Sequence, residues 1–244
     1  MSQLQKERQF YLALVLIIVA SVFFGFAQTY LTRDQMFGSS VPLPKAVHVH
    51  GMAFLAWYVL LAAQAGLVMR GAMRLHRTFG TLSLALAAIM VAGGLLVIGV
   101  RMRDGLAGNP FWSSFSLVIL SNLILFAGYF VAAIRYRTRA DQHRRYIVLA
   151  AATGSGAAQF RSLTLVMGQS FWAVPTGILV TNLFVIAAMV GEKAIRGKVS
   201  TTYKVALAIT VAFELALFGA AFTSGGTAIQ EAFVALMGQL LEFY

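Results

Sequence analysis

Seven apolar runs separated by short, basic gaps constrain this chain more than any other feature. They extend approximately from Phe10 to Tyr30, Ala46 to Val68, Thr78 to Val100, Phe111 to Ile134, Tyr146 to Met167, Phe171 to Val190 and Val205 to Phe222. Crossing a bilayer takes roughly 20 mostly apolar residues in a helix, and each run is about that long. Composition agrees. The 244 residues are 59% hydrophobic and 11% charged, with a mean hydropathy of +0.79, whereas soluble domains are about 45–50% apolar and about 25% charged. A soluble globular domain and a disordered chain are excluded. Cysteine is absent, which excludes disulfides, thiolate metal sites and a cysteine nucleophile. The first run is too long for a cleaved signal peptide and lacks a small-residue cleavage site before a polar region.

The net charge of +11 suggests nucleic acid in a soluble protein. Here it reports membrane orientation, and no nucleic-acid partner is expected. Lys6, Arg8, Arg70, Arg74, Arg77, Arg135, Arg137, Arg139, Arg144, Arg145, Lys193, Arg196, Lys198 and Lys204 fall on one side, 14 in all. Arg33, Lys45, Arg101, Arg103 and Arg161 fall on the other, 5 in all. Basic residues accumulate on the cytoplasmic side. The expected fold is an all-α integral membrane protein, a seven-transmembrane-helix bundle with its N-terminus cytoplasmic and its C-terminus outside. Residues 1–222 form that domain. The longest gap, Leu31 to Lys45, contains Gly38, Ser39, Ser40, Pro42 and Pro44 and reads as an external loop. In residues 223–244, Ile229, Phe233, Leu236, Leu240 and Tyr244 recur at helical spacing. This amphipathic tail is too short to span, and is expected at the outer surface or against a membrane-protein partner.

Polar groups inside a bilayer are costly, so they mark function or helix contacts. His48 and His50 open the second run on the outer side. His76 and His143 open the third and fifth on the cytoplasmic side. Gln64 lies near the inner end of the second run, Arg161 near the outer end of the fifth, and Glu214 well inside the seventh. On a straight helix His143 and Arg161, 18 residues apart, share a face about 27 Å apart along the axis. That face carries Ala150, Gly154 and Ala157. His50 and Gln64, 14 apart, return to within about 40° of one face, with Phe54, Trp57 and Leu61 between them. Two polar layers result: His50 with Arg161 outside, Gln64 with His76 and His143 inside. Glu214 should either pair or stay protonated.

Each residue also has a plainer reading. Interfacial His and Arg commonly snorkel or cap. The Trp57 stripe suits simple packing, and the Ala150–Ala158 stretch suits a close helix contact. His48 and His50 chelate a metal only if their segment is extended, because helical neighbours two apart diverge by about 200°.

The joint pattern of His50-Gly51 through Gln64, Leu75-His76-Arg77 with Gly80, His143-Arg144-Arg145-Tyr146 and Ala157-Ala158-Gln159-Phe160-Arg161 resembles a family of bacterial multi-pass membrane proteins, the domain of unknown function numbered 2306. The resemblance covers roughly residues 46 to 165. Where that family has Trp-Met after the His-Arg pair, this chain has Tyr146-Ile147. The resemblance implies a bacterial inner-membrane location and singles out His50, Gln64, His76, Arg77, His143, Arg144 and Arg161. It implies no activity.

Three functions fit. The first is a haem- or metal-binding electron-transfer protein. His76 and His143 lie at one depth for bis-imidazole ligation of haem b, with Arg77, Arg144 and Arg145 for propionates. His50 and His48 offer a further copper or zinc site. The second is a binder or transporter of a lipid- or quinone-like molecule, held between the His50–Trp57–Gln64 and Ala150–Gly154–Ala157 faces with Arg161 at its head. The third is an accessory subunit of a larger membrane complex, docked through the C-terminal helix. A retinal protein is excluded, because no lysine lies within the last run.

Overall fold

Helix signals along the chain are local and strong. The computed structural model describes residues 2–27, 30, 43–168, 170 and 172–243. Of the external loop expected at Leu31–Lys45, residues 31–42, with Arg33, lie outside the described residues, as do Phe171 and Tyr244. Ser2 caps α1 (Gln3–Phe26): its Oγ accepts from Gln5 N, and Gln5 Oε1 accepts from Ser2 N. That reciprocal pair satisfies two free backbone donors. α2 is Lys45–Met69, and a short helix α3 (Met73–Gly80) turns through Thr81 into α4 (Leu82–Leu106). Asn109 caps α5 (Pro110–Arg135), whose first residue is proline, as helix starts favour. α6 (Ala140–Gly154) and α7 (Gly156–Met167) follow, then α8 (Ala173–Arg196). α8 stops at Gly197, whose φ of +76° suits a glycine. α9 is Thr201–Ala220, α10 is Ser224–Met237, and a 3-10 turn covers Gly238–Phe243. No strand occurs among the described residues.

Six helical stretches are long and apolar enough to cross a membrane: Gln3–Phe26, Lys45–Met69, Met73–Leu106, Phe115–Arg135, Pro175–Arg196 and Thr201–Ala220. Ile17, Val59, Ile124, Val131, Leu183 and Ile209 point outward from them and are exposed, a lipid-facing belt in a chain of this composition.

The run expected as one helix over Tyr146–Met167 is α6 and α7, broken at Ser155. The physical cause is local. Thr153 Oγ1 donates to Leu149 O (2.9 Å), Ser155 Oγ donates to Ala152 O (2.7 Å), and two glycines flank Ser155. Hydroxyls bonding back onto the preceding turn bend helices, and glycine lowers the resistance. The straight-helix relation between His143 and Arg161 therefore does not hold along one axis.

This broken pair is the axis of the bundle. α1, α2, α4, α5, α9 and α8 follow one another around it, and α8 closes against α1. Ala150, Ala151, Ala152, Ser155 and Ala158 are completely buried. Their small side chains admit close neighbours. A Cβ on Gly25 of α1 would lie 2.2 Å from the Ala158 carbonyl, and one on Gly156 would lie 2.2 Å from Asn122 Oδ1 of α5.

The C-terminal segment packs on its own chain. Phe233, Met237 and Leu241 lie against Gly99 of α4, and Gln230 is buried, accepting from Ser116 Oγ of α5 (3.2 Å). Arg103 pairs with Glu242 at 3.4 Å. Of the apolar stripe expected to dock, Phe233 alone joins this contact, while Ile229, Leu236 and Leu240 are exposed. Turning inward gives Gln230 its partner, with Phe233, Met237 and Leu241 packed beside it.

Candidate functional site

Beyond Ser155 the central axis changes neighbours. α6 packs chiefly on α5, whereas α7 packs on α8 and α1. The space left between α7 and the α4–α5 side is a cavity of about 240 Å³. Its wall is mainly apolar, from Phe26, Phe54, Met90, Ile98, Phe115 and Phe126, with Gly94, Gly154 and Ala157 giving it width. Its polar members among the described residues include Tyr30, His50, Arg101, Ser116, Asn122 and Arg161, and no carboxylate among the described residues lines it.

This is the outer layer expected from the sequence. α2 begins at Lys45, so His48 and His50 diverge and do not form an extended chelating pair. His48 meets the Tyr30 hydroxyl through Nδ1. His50 instead lies against α4, where it fits because Gly93 and Gly94 lack side chains: a Cβ on Gly93 would be 2.8 Å from the His50 Cβ. The Arg161 guanidinium stacks 4.7 Å over the Phe26 ring, and Arg101 stacks 4.7 Å over Trp112 while pairing with Asp104 at 2.9 Å. Each cation is thereby held over an aromatic face. His50 Nδ1 and Asn122 Oδ1 are buried without a hydrogen-bond partner. Phe54, Trp57 and Leu61, expected between His50 and Gln64, are all buried. The edges of Phe126 and Phe130 pack against Trp57.

The inner layer is a clasp. The Gln64 amide is oriented by its surroundings, with nitrogen toward two acceptors and oxygen toward a donor. Its nitrogen donates to His76 O (3.0 Å) and to His76 Nδ1, and its oxygen accepts from Gly80 N (3.0 Å). One side chain of α2 thus ties the middle of α3 to its C-terminal end. His143 Nδ1–H donates to Ala133 O of α5 (2.8 Å). The His76 and His143 rings stand 6.3 Å apart at 79°. Because His76 Nδ1 accepts from Gln64, the proton of the neutral ring lies on Nε2. No group of three or more His, Asp or Glu suited to a metal occurs among the described residues.

Arg144 joins an ion cluster instead of the cavity. It pairs with Glu7 (3.1 Å) and Asp141 (3.0 Å) and lies 4.4 Å over the Tyr11 ring. Arg196 of α8 meets the same two acids at 2.6 and 2.8 Å. Arg196 beside it holds the Asp141 carboxyl below its ordinary range. Arg145 is buried against Glu192, at 2.9 Å from Nε and 2.5 Å from Nη2, and Glu192 Oε2 also accepts from Ser200 N. Arg77 neither lines the cavity nor enters these ion pairs. Sequence reasoning missed Glu7, Asp141, Glu192 and the cavity members Arg101 and Trp112. The one available signal was that Glu7 and Glu192 are acids standing close to the ends of apolar runs.

No family model, curated protein or solved structure matches the chain.

Proposed function

We propose that this protein binds an amphipathic small molecule of lipid or quinone type in the cavity between α4, α5 and α7. The cavity itself is the observation that carries the reading: an apolar chamber whose polar lining includes His50, Arg101 and Arg161. Ligand sites are typically apolar with a few placed polar groups. Guanidinium groups suit carboxylate, phosphate and other electron-rich oxygen heads. The apolar body lies against Phe54, Phe115 and Ala157, and the head faces the arginines.

The proposed setting is a bacterial inner membrane crossed seven times. α6 and α7 together form the fifth crossing, their 15 and 12 residues giving about 40 Å of helix at 1.5 Å per residue. The 14-to-5 bias of basic residues supports a cytoplasmic N-terminus.

The test is mass spectrometry of ligands released from gently solubilised protein, with quinone and fatty-acid binding measured on wild type and Arg161→Gln. Retention by wild type and at least tenfold weaker binding by the variant are expected. Equal binding by both would refute the reading.

The haem or metal reading keeps one favourable observation, the facing of His76 and His143. Ligation through His76 Nε2 would require the ring to shift its proton and give up the Gln64 bond. A Soret band in purified protein, lost in His76→Ala or His143→Ala, would establish that reading over ours for the inner layer. A colourless, metal-free preparation would eliminate it.

A further inference from the structure

α9 is attached to the bundle mainly by polar side chains. Its buried positions are Tyr203, Ala206, Thr210 and Glu214, one stripe at helical spacing. Tyr203 OH donates to Tyr11 OH (3.4 Å), and Thr210 Oγ1 meets Tyr129 OH (2.7 Å), which also donates to Ala206 O (2.9 Å). Glu214 has no exposed surface, and its Oε2 accepts from Asn182 Nδ2 of α8 at 2.7 Å. The second Asn182 amide hydrogen goes to Ile178 O (2.9 Å).

That leaves two buried oxygens in one contact without a partner, Glu214 Oε1 and Asn182 Oδ1. As a carboxylate, Glu214 would bury a full charge against a single amide, and both oxygens would stay unsatisfied. An isolated ion in such surroundings is far costlier than a neutral acid. No Lys, Arg or His forms an ion pair with Glu214 among the described residues. The titratable group facing it from α5 is Tyr129, with Tyr146 of α6 stacked on that ring. From α8 it meets Asn182. α10 brings its buried Gly226 against Ala220, six residues on, and the Glu231 of that helix is exposed.

We propose that Glu214 is a proton-binding site. The bound proton sits on Oε1 and is donated to Asn182 Oδ1, closing an acid–amide ring in which all four heteroatoms are satisfied. One proton is taken up, no other bond forms or breaks, and α9 is fastened to α8 through it. Loss of the proton leaves a charge and two unpartnered oxygens between those helices. The site is separate from the cavity and stands whether or not the cavity binds a ligand.

Infrared spectroscopy of the full chain in lipid nanodiscs tests this. At neutral pH the wild type should show a protonated-carboxyl carbonyl band that shifts on carbon-13 labelling of glutamate. Glu214→Gln should lose the band and keep wild-type thermal stability, because its amide closes the same ring with Asn182. If Glu214→Gln does not fold, the labelled wild type still decides, since Glu7 and Glu192 are ion-paired and Glu231 and Glu242 are exposed. Absence of the band from wild type at neutral pH, or its persistence in Glu214→Gln, would overturn the proposal.

Discussion

Gln64 illustrates what single side chains do here. It satisfies the His76 carbonyl, the His76 imidazole and the Gly80 amide at once. Gln64→Leu keeps the volume and removes all three bonds. The groups left behind are only half-buried, so water replaces part of what is lost and the cost stays below the ~1–3 kcal/mol of a fully buried group; a small fall in thermal unfolding temperature is expected. Gln64→Glu should recover little of it, because a carboxylate cannot donate to the two His76 acceptors. In the Glu7–Asp141–Arg144–Arg196 cluster, Arg196 lowers the proton affinity of Asp141. A depressed carboxyl contributes stability above its unfolded value and loses it as pH falls through the folded one. Acid melting of wild type should therefore steepen below about pH 4, and Asp141→Asn should flatten that limb in a pH–stability titration. The His50–Gln64 register was legible because α2 is one unbroken helix with a regular period. The partners of Arg144 and Arg145 were not. Glu7 is 137 residues from Arg144 and Glu192 is 47 from Arg145, and no local pattern encodes such pairings.

At the scale of elements, the crossing of α1 over α7 depends on Gly25, where a Cβ would fall 2.2 Å from the Ala158 carbonyl oxygen. A backbone atom cannot rotate away. Gly25→Ala should destabilise by about 1–3 kcal/mol, the usual cost of overpacking. Gly128 of α5 has open space around the same position. Gly128→Ala should be neutral or gain up to about 1 kcal/mol of helix propensity. Comparing the two variants in one unfolding assay separates close approach from helix propensity. The small-residue run Ala150–Ala158 was visible in the sequence, and so was its suitability for close contact. Its break at Ser155 was not anticipated, because an apolar-run reading averages over the Thr153-Gly154-Ser155-Gly156 segment. That break sets the cavity, so the residues of the outer layer were legible while the space they surround was not. The tail was legible as a helix. Which face turns inward was not, because it is set by the Gln230–Ser116 bond across 114 residues of sequence.

For the whole molecule, the number of crossings decides the sides of the termini. The chain contains no cysteine, so single-cysteine variants need no background removal. Labelling intact cells with an impermeant maleimide should modify Thr227→Cys from outside and leave Arg137→Cys and Lys198→Cys unmodified until the cells are opened. Reaction of Arg137→Cys in sealed cells would invert the proposed orientation. Reaction of Lys198→Cys but not of Thr227→Cys before permeabilisation would mean that α6 and α7 do not cross and that six crossings replace seven.

The buried axis also bears on biogenesis. A nascent helix normally enters the bilayer by exchanging water for lipid, and its own apolar side chains drive the exchange. α6 has little to offer lipid: Ala, Thr and Gly fill its second half, while Asp141, Gln142, His143, Arg144 and Arg145 fill its start. Its neighbours α1 and α5 are made before it, but α8 and α9, which also enclose it, are made after it. Under the proposed seven crossings, entry of this segment depends on helices already waiting in the membrane, and its final seat is completed only when the last third of the chain arrives. A ribosome-released fragment ending at Met167 should be a substrate for membrane proteases, while the same fragment co-expressed with residues 168–244 should be rescued.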